Sequence, residues 1–201
     1  MTCITTLDAL DALYGAPSEA ARVKVAQQLT PTYARWITQS RFCLIATVGP
    51  DGTDCSPRGD DGPVVAMLDE TTLAMPDWRG NNRIDSLRNI VQDGRISVTF
   101  MVPGSANVVR VNGRARLTTA PNLITRFERK GVAPRCVIVI ELAEVYIQCA
   151  RAILRSRLWS GGSEHEDLPS VGDILAERTD GALDGRAFDT AWAARADGTM
   201  W

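Results

Sequence analysis

Short apolar runs, each broken by turn residues, restrict the fold of this chain more than any other feature of its sequence. Residues 42–48 form an apolar run too short for a comfortable helix and rich in β-formers, as a buried strand requires. Pro50-Asp51-Gly52 supplies turn chemistry, and residues 53–57 return as the partner strand. Residues 64–68 and 72–75 make another pair around Asp69-Glu70. Residues 95–102 are strand-like until Pro103-Gly104 breaks them, and 108–117 alternate through Val109, Val111 and Gly113 as a half-exposed strand does. The most β-branched run of all is 137–142. Hairpin spacing of this kind predicts a mainly β chain, an antiparallel barrel of about six strands with peripheral helices, rather than alternating βαβ units. Neither GxGxxG nor GxxxxGK[ST] occurs, so the main fingerprints of Rossmann and P-loop proteins are missing.

Helical patterns flank and interrupt the strands. The first forty residues read as helical, with Ser18 capping a segment through Val25 and Pro31 in the first turn of a helix carrying Tyr33, Trp36 and Ile37. Between 82 and 91 the period changes: Ile84, Leu87 and Val91 recur at helical spacing, with Asn81 or Asn82 placed to cap and Asp85 in the first turn. Pro121 opens a short helix to Arg129. Beyond Trp159, Gly161-Gly162 and the acidic Glu164-His165-Glu166-Asp167 read as a linker before a short helix around 171–176. The expected organisation is a helical extension over 1–30, a β domain over 31–159 and a tail over 160–201.

Hydrophobic residues make up 45% of the 201, enough for a sizeable core. A net charge of -2 and a pI near 5.5 are wrong for a general nucleic-acid binder, although two or three well-placed arginines suffice for a small phosphate. Five cysteines without a CxxC motif point to reduced thiols and a cytoplasmic location. With His165 the only histidine, a zinc site or a histidine-based triad has almost no material. The first residues lack the features of a signal peptide, and no apolar stretch approaches the roughly 18 residues of a membrane span.

Three segments carry potential chemistry. In Pro76-Asp77-Trp78-Arg79-Gly80-Asn81-Asn82-Arg83 a strand end runs into a helix start, whose free N–H groups favour an anion. Arg79 and Arg83 add charge-assisted donors, Asn82 a neutral one, and Gly80 permits close backbone approach. Spacing alone equally allows an ordinary capped helix with solvated arginines. In Cys55-Ser56-Pro57-Arg58-Gly59-Asp60-Asp61-Gly62, Arg58 can reach the same phosphate from a neighbouring strand and Gly59 can expose backbone to a ring; a polar hairpin turn uses the same residues. After the last strand, Arg151, Arg155 and Arg157 punctuate an apolar stretch ending at Trp159. Such arginines are costly to bury unpaired and suit an anionic ligand or a partner chain, or else a solvated edge strand with Trp159 plugging the core.

Taken in order, the run 42–48 followed by DGTDCSPRGD, then LAMPDWRGNNRIDSLRNI, VRVNGRARLT and CARAILRSRLW, resembles the pyridoxamine 5'-phosphate oxidase-like, FMN-binding split-barrel family over roughly 31–159. It looks most like a bacterial branch of flavin-nucleotide-binding proteins. The resemblance implies a six-stranded antiparallel split barrel and FMN, with the phosphate near the strand-to-helix junction and the ring across a homodimer interface. By motif position, Arg58 with the adjoining Gly59 and Asp60 matches the strand segment that contacts FMN. Pro76 and Asp77 match the strand-end pair near the flavin, and Asn82 and Arg83 the pair that grips the phosphate. Arg155, Arg157 and Trp159 belong to the C-terminal signature that faces the flavin or the second subunit. Arg79 falls outside the family's contact positions.

True pyridoxamine phosphate oxidases hold their substrate with a C-terminal Arg-x-His element. Here Arg155-Ser156-Arg157 stands in the comparable tail, His165 is not spaced to replace the histidine, and the strand lysine expected after Arg58 is missing. Oxidation of pyridoxamine phosphate is therefore not expected. The sequence is read as an FMN-dependent oxidoreductase of small molecules in which the flavin carries the electrons and no side chain is assigned a catalytic role. A reduced nicotinamide or a deazaflavin would serve as donor. The competing readings are a non-enzymatic flavin-binding or flavin-sensing protein and a related barrel holding haem or another ligand, for which His165 is a poor axial residue.

Overall fold

The computed structural model describes residues 3–162, 165–196 and 198, so Glu164 of the expected linker lies outside the described residues. Three helices come first: α1 (Leu7–Tyr14), α2 (Glu19–Val23) and α3 (Pro31–Ile37). Each has a side-chain cap, from Thr6, Ser18 and Thr30, and Pro31 sits in the first turn of α3 where its missing N–H costs nothing. The strands are β1 (Phe42–Gly49), β2 (Gly52–Gly59), β3 (Ala66–Met67), β4 (Thr72–Asp77), β5 (Arg95–Met101), β6 (Val108–Thr118) and β7 (Cys136–Gln148). Helix α4 (Asp85–Gln92) lies between β4 and β5, and α5 (Pro121–Arg126) between β6 and β7. Helices α6 (Arg151–Ser156), α7 (Val171–Arg178) and α8 (Gly185–Ala196) follow.

All pairings are antiparallel, and the strands form one open sheet in the order β2-β1-β5-β6-β7-β4-β3. One open sheet of seven strands thus stands where a barrel of about six was expected. The pair expected at 64–68 and 72–75 is present, with β3 shortened to a two-residue edge strand beside β4. Alternation sets which face is buried: Cys43, Ile45 and Thr47 of β1 and Ile96, Val98 and Phe100 of β5 all point inward. They meet Val109 and Val111 of β6, Ile138 and Ile140 of β7, Met75 of β4 and Ile37 of α3 in one core. Strand β7 is buried on both faces, since Val137 and Val139 pack with Ala74 under Leu123, Ile124 and Phe127 of α5 and the turn after it. That double burial explains its β-branched run.

Other expectations needed correction. Neither Asn81 nor Asn82 caps α4: the helix begins at Asp85, and Ile84 occupies the cap position without a side-chain bond. Asn81 Oδ1 instead accepts the backbone N–H of Arg83 at 2.9 Å, and Asn82 takes a left-handed φ of 62°, so the loop turns once more before the helix can start. The segment after β7 is helix α6, not an edge strand, and Trp159 is exposed rather than a core plug. Helix α8 has no counterpart in the sequence reading.

The cysteines differ sharply in environment. Burial pushes the Cys43 thiol up to about 12 and the Cys136 thiol, beside Asp77, up to about 11. Cys149 is exposed, and the backbone N–H of Arg151 holds its thiol below the ordinary value. Iodoacetamide near neutral pH should therefore alkylate Cys149 early and Cys43 last, read by peptide mass spectrometry. Equal labelling rates at these two positions would contradict the burial assigned to β1.

Candidate functional site

The site forms where the two ends of the sheet come together. Five strand steps separate β2 from β4 in the sheet order, which would be about 24 Å in a flat sheet. Yet Arg58 Nη2 on β2 lies 3.9 Å from Asp77 Oδ1 on β4, so the sheet curls until its ends face each other. Alternation along β2 puts Asp54, Ser56 and Arg58 on the same half-buried face. Ser56 Oγ accepts from Arg58 Nη1 at 2.5 Å, the Pro57 carbonyl accepts from the same nitrogen at 2.8 Å, and Asp54 accepts from the buried Ser86 hydroxyl of α4. The Ser56 and Pro57 bonds fix the guanidinium of Arg58.

Asp77, at the end of β4, sits opposite Cys136 in the pairing with β7, and its carbonyl accepts the backbone N–H of Arg135 at 3.2 Å. Burial pushes its carboxyl above the ordinary value, opposed by the charges of Arg58 and Arg135. The loop over 78–84 is tied down at both ends. Trp78 donates its indole N–H to Asp60 Oδ2 at 3.1 Å, and Asp60 also receives Arg129 at 3.1 Å and the backbone N–H of Gly62 at 3.3 Å. Desolvation raises the pKa of that nearly inaccessible carboxyl. Further along, Asn82 Oδ1 accepts from Arg135 Nη1 at 2.7 Å, while Arg83 Nε reaches Asp85 at 2.6 Å and is largely solvent-exposed.

These elements enclose a recess of about 510 Å³, within the ordinary range for small-molecule sites. Seven of the ten sequence-predicted residues line it: Arg58, Gly59, Asp60, Pro76, Asp77, Asn82 and Arg83. Arg79 lines it as well. Arg155, Arg157 and Trp159 do not: they lie on and just after α6, where Arg157 adopts a left-handed backbone and Trp159 donates to the Ser105 carbonyl at 2.7 Å. Sequence reasoning missed Arg135, Trp78, Ser86 and Ser56. Arg135 stands immediately before the β7 run, but only the register of β7 against β4 carries it to Asp77 and Asn82. Ser56 was legible, since it precedes Arg58 by two on an alternating strand.

These features define a class of protein, an antiparallel sheet curled around an arginine-lined recess beside the start of a helix. Residues 29–149 match the family described as pyridoxamine 5'-phosphate oxidase, and the chain belongs to that family. Solved structures similar to it include tagged HupZ from Group A Streptococcus (20% identity, 58% of this chain and 91% of that one, TM-score 0.47). General stress protein 26 from Bacillus anthracis str. Sterne matches at 16% identity, over 56% of this chain and 88% of that one, with a TM-score of 0.42. An FMN-binding protein from Syntrophomonas wolfei subsp. wolfei matches at 11% identity, over 58% and 84%, with a TM-score of 0.44. No curated protein matches the chain significantly.

Proposed function

We propose that the recess holds FMN and that the protein is an FMN-dependent oxidoreductase of small molecules other than pyridoxamine phosphate. The observation that carries this reading is the meeting of Arg58, Arg83 and Arg135 around one recess at the start of α4, in a member of this family. The donor set suits the group: guanidiniums and first-turn N–H groups for a phosphate, and the strand-end backbone at Gly59 and Pro76 for the edge of a planar ring. On this reading the curled sheet is the split barrel, and the chain divides into an extension over 1–30, the barrel over 31–159 and a tail over 160–201. A homodimer would bring Arg155, Arg157 and Trp159 of one subunit toward the flavin of the other. The exposed Leu154, Leu158 and Trp159 beside those arginines favour such a contact.

Bound FMN supplies the electron-transfer chemistry. The chain's own residues bind and orient. Arg58, held by Ser56 and Asp77, presents a fixed charge; Arg135 braces Asn82; and the Trp78–Asp60–Arg129 contacts hold the loop in place. With FMN loaded, the protein should reduce a dye acceptor at the expense of a reduced nicotinamide or deazaflavin and leave pyridoxamine phosphate unoxidised. Tight FMN binding without turnover of either donor would instead assign the protein to flavin storage or sensing.

A further inference from the structure

Two carboxylates, Asp60 and Asp77, line the recess, and the protein partners them differently. Asp60 accepts from the Trp78 indole, from Arg129 and from the Gly62 N–H. The Asp77 carboxyl accepts no hydrogen bond among the described residues. Its ion pair with Arg58 spans 3.9 Å, beyond hydrogen-bond reach, and Arg58 Nη1 is already committed to Ser56 and the Pro57 carbonyl. Arg135 adds its charge, but its Nη1 donates to Asn82 at 2.7 Å. The Asp77 side chain is only 17% exposed. Fully buried unpartnered oxygens do not occur among the described residues, so these acceptors open onto the recess that Asp77 lines. A mostly buried carboxylate without a donor costs free energy until a ligand brings one.

The neighbours of Asp77 narrow the donor. An ionised carboxylate only accepts, and it repels a second anion, so it does not itself bind a phosphate. Arg58, which on the FMN reading meets the phosphate, stands within 3.9 Å of it. The donor therefore belongs to the part of the ligand next to the phosphate. In FMN that part is the ribityl chain, whose hydroxyls can each donate, whereas the ring N–H lies at the far end of the molecule. We propose that Asp77 is a specificity-determining residue that accepts a hydrogen bond from a ribityl hydroxyl, so that the recess selects a phosphorylated polyol over a bare phosphate. The inference rests on FMN occupying this recess. It gives the strand-end carboxylate a task that phosphate binding by arginines leaves unexplained. A carboxylate beside a phosphate site lowers affinity for a bare anion and raises it for one that carries a hydroxyl.

Fluorescence titration of the full-length protein with FMN, and with an analogue whose ribityl phosphate is replaced by an unsubstituted pentyl phosphate, tests this. The parent protein should prefer FMN by at least about tenfold, as a hydrogen bond to a charged group implies. Asp77→Ala should cut that preference about tenfold, and Asp77→Asn, which keeps one acceptor, should fall between. The affinity for FMN alone is not the readout, because losing the carboxylate also removes repulsion of the phosphate. The ratio of the two ligands cancels that effect. Equal binding of both ligands by the parent would overturn the assignment while leaving FMN in the recess, and this arm needs no variant. A preference undiminished in both variants would overturn it too, by giving the hydroxyls to other residues. Failure of the parent to bind either ligand would instead remove the FMN reading, and this inference with it.

Discussion

Arg58→Ala should weaken FMN binding by on the order of 2–5 kcal/mol, the usual cost of truncating one member of a desolvated charge contact. Arg58 is mostly buried, its guanidinium is set by Ser56 and Pro57, and it faces Asp77 where the two ends of the curled sheet approach each other. On the proposed reading its removal takes away a phosphate contact, and it leaves Asp77 with Arg135 as its remaining compensating charge. Fluorescence titration of the variant with FMN and with riboflavin separates the two roles. A loss confined to FMN marks a phosphate contact, and an equal loss for both ligands marks a contact to the ring. Arg83→Ala should cost less than Arg58→Ala, because Arg83 is largely exposed and already paired with Asp85. Unchanged FMN affinity in Arg58→Ala would remove this residue from the site.

The same substitution has a signature in pH. Burial raises the Asp77 carboxyl above its ordinary 3.8, so the folded state binds more protons than the unfolded one above that value. Stability contributed by this group therefore declines as pH rises through the raised pKa. Arg58 opposes the shift, so Arg58→Ala should extend the decline to higher pH and enlarge it.

Gly113→Ala should destabilise the fold by about 3 kcal/mol, read as a lower urea midpoint at unchanged slope. Between Asn112 and Gly113 the β6–β7 register shifts, with Asn112 opposite Glu144 and Gly113 opposite Leu142. A Cβ on Gly113 would lie 2.0 Å from the Glu141 carbonyl oxygen and 3.0 Å from its carbon. Both belong to backbone in the middle of the sheet, so neither can step aside as a flexible side-chain tip would. Gly80→Ala is the matched control: nothing lies within 4 Å of its Cβ, and its stability should stay within about 0.5 kcal/mol of the parent. Equal midpoints for the two variants would mean that the irregularity at Gly113 is misplaced.

Strand identity was largely legible from residue order because period-two alternation and Pro-Gly or Asp-Gly punctuation are local signals. The recess was legible in part for the same reason: Arg58, Asp77 and Arg83 each stand at the end of an element, where side chains meet ligands. What remained hidden depends on register and curl. Arg135 joins the site only through the pairing of β7 with β4, and Arg58 meets Asp77 only because the sheet bends on itself. The asparagines of the loop misled for a local reason, since Asn at a left-handed position competes with Asn as a cap. Helix α8 escaped notice because its surface lacks a clear apolar stripe.

The central claim, that the recess holds FMN, is tested most directly by the visible absorption spectrum of the purified protein. It should be recorded before and after adding FMN and desalting. The account predicts a retained yellow chromophore with the two bands of an oxidised flavin, lost in Arg58→Ala. A well-folded, colourless protein that releases all added FMN on desalting would contradict it.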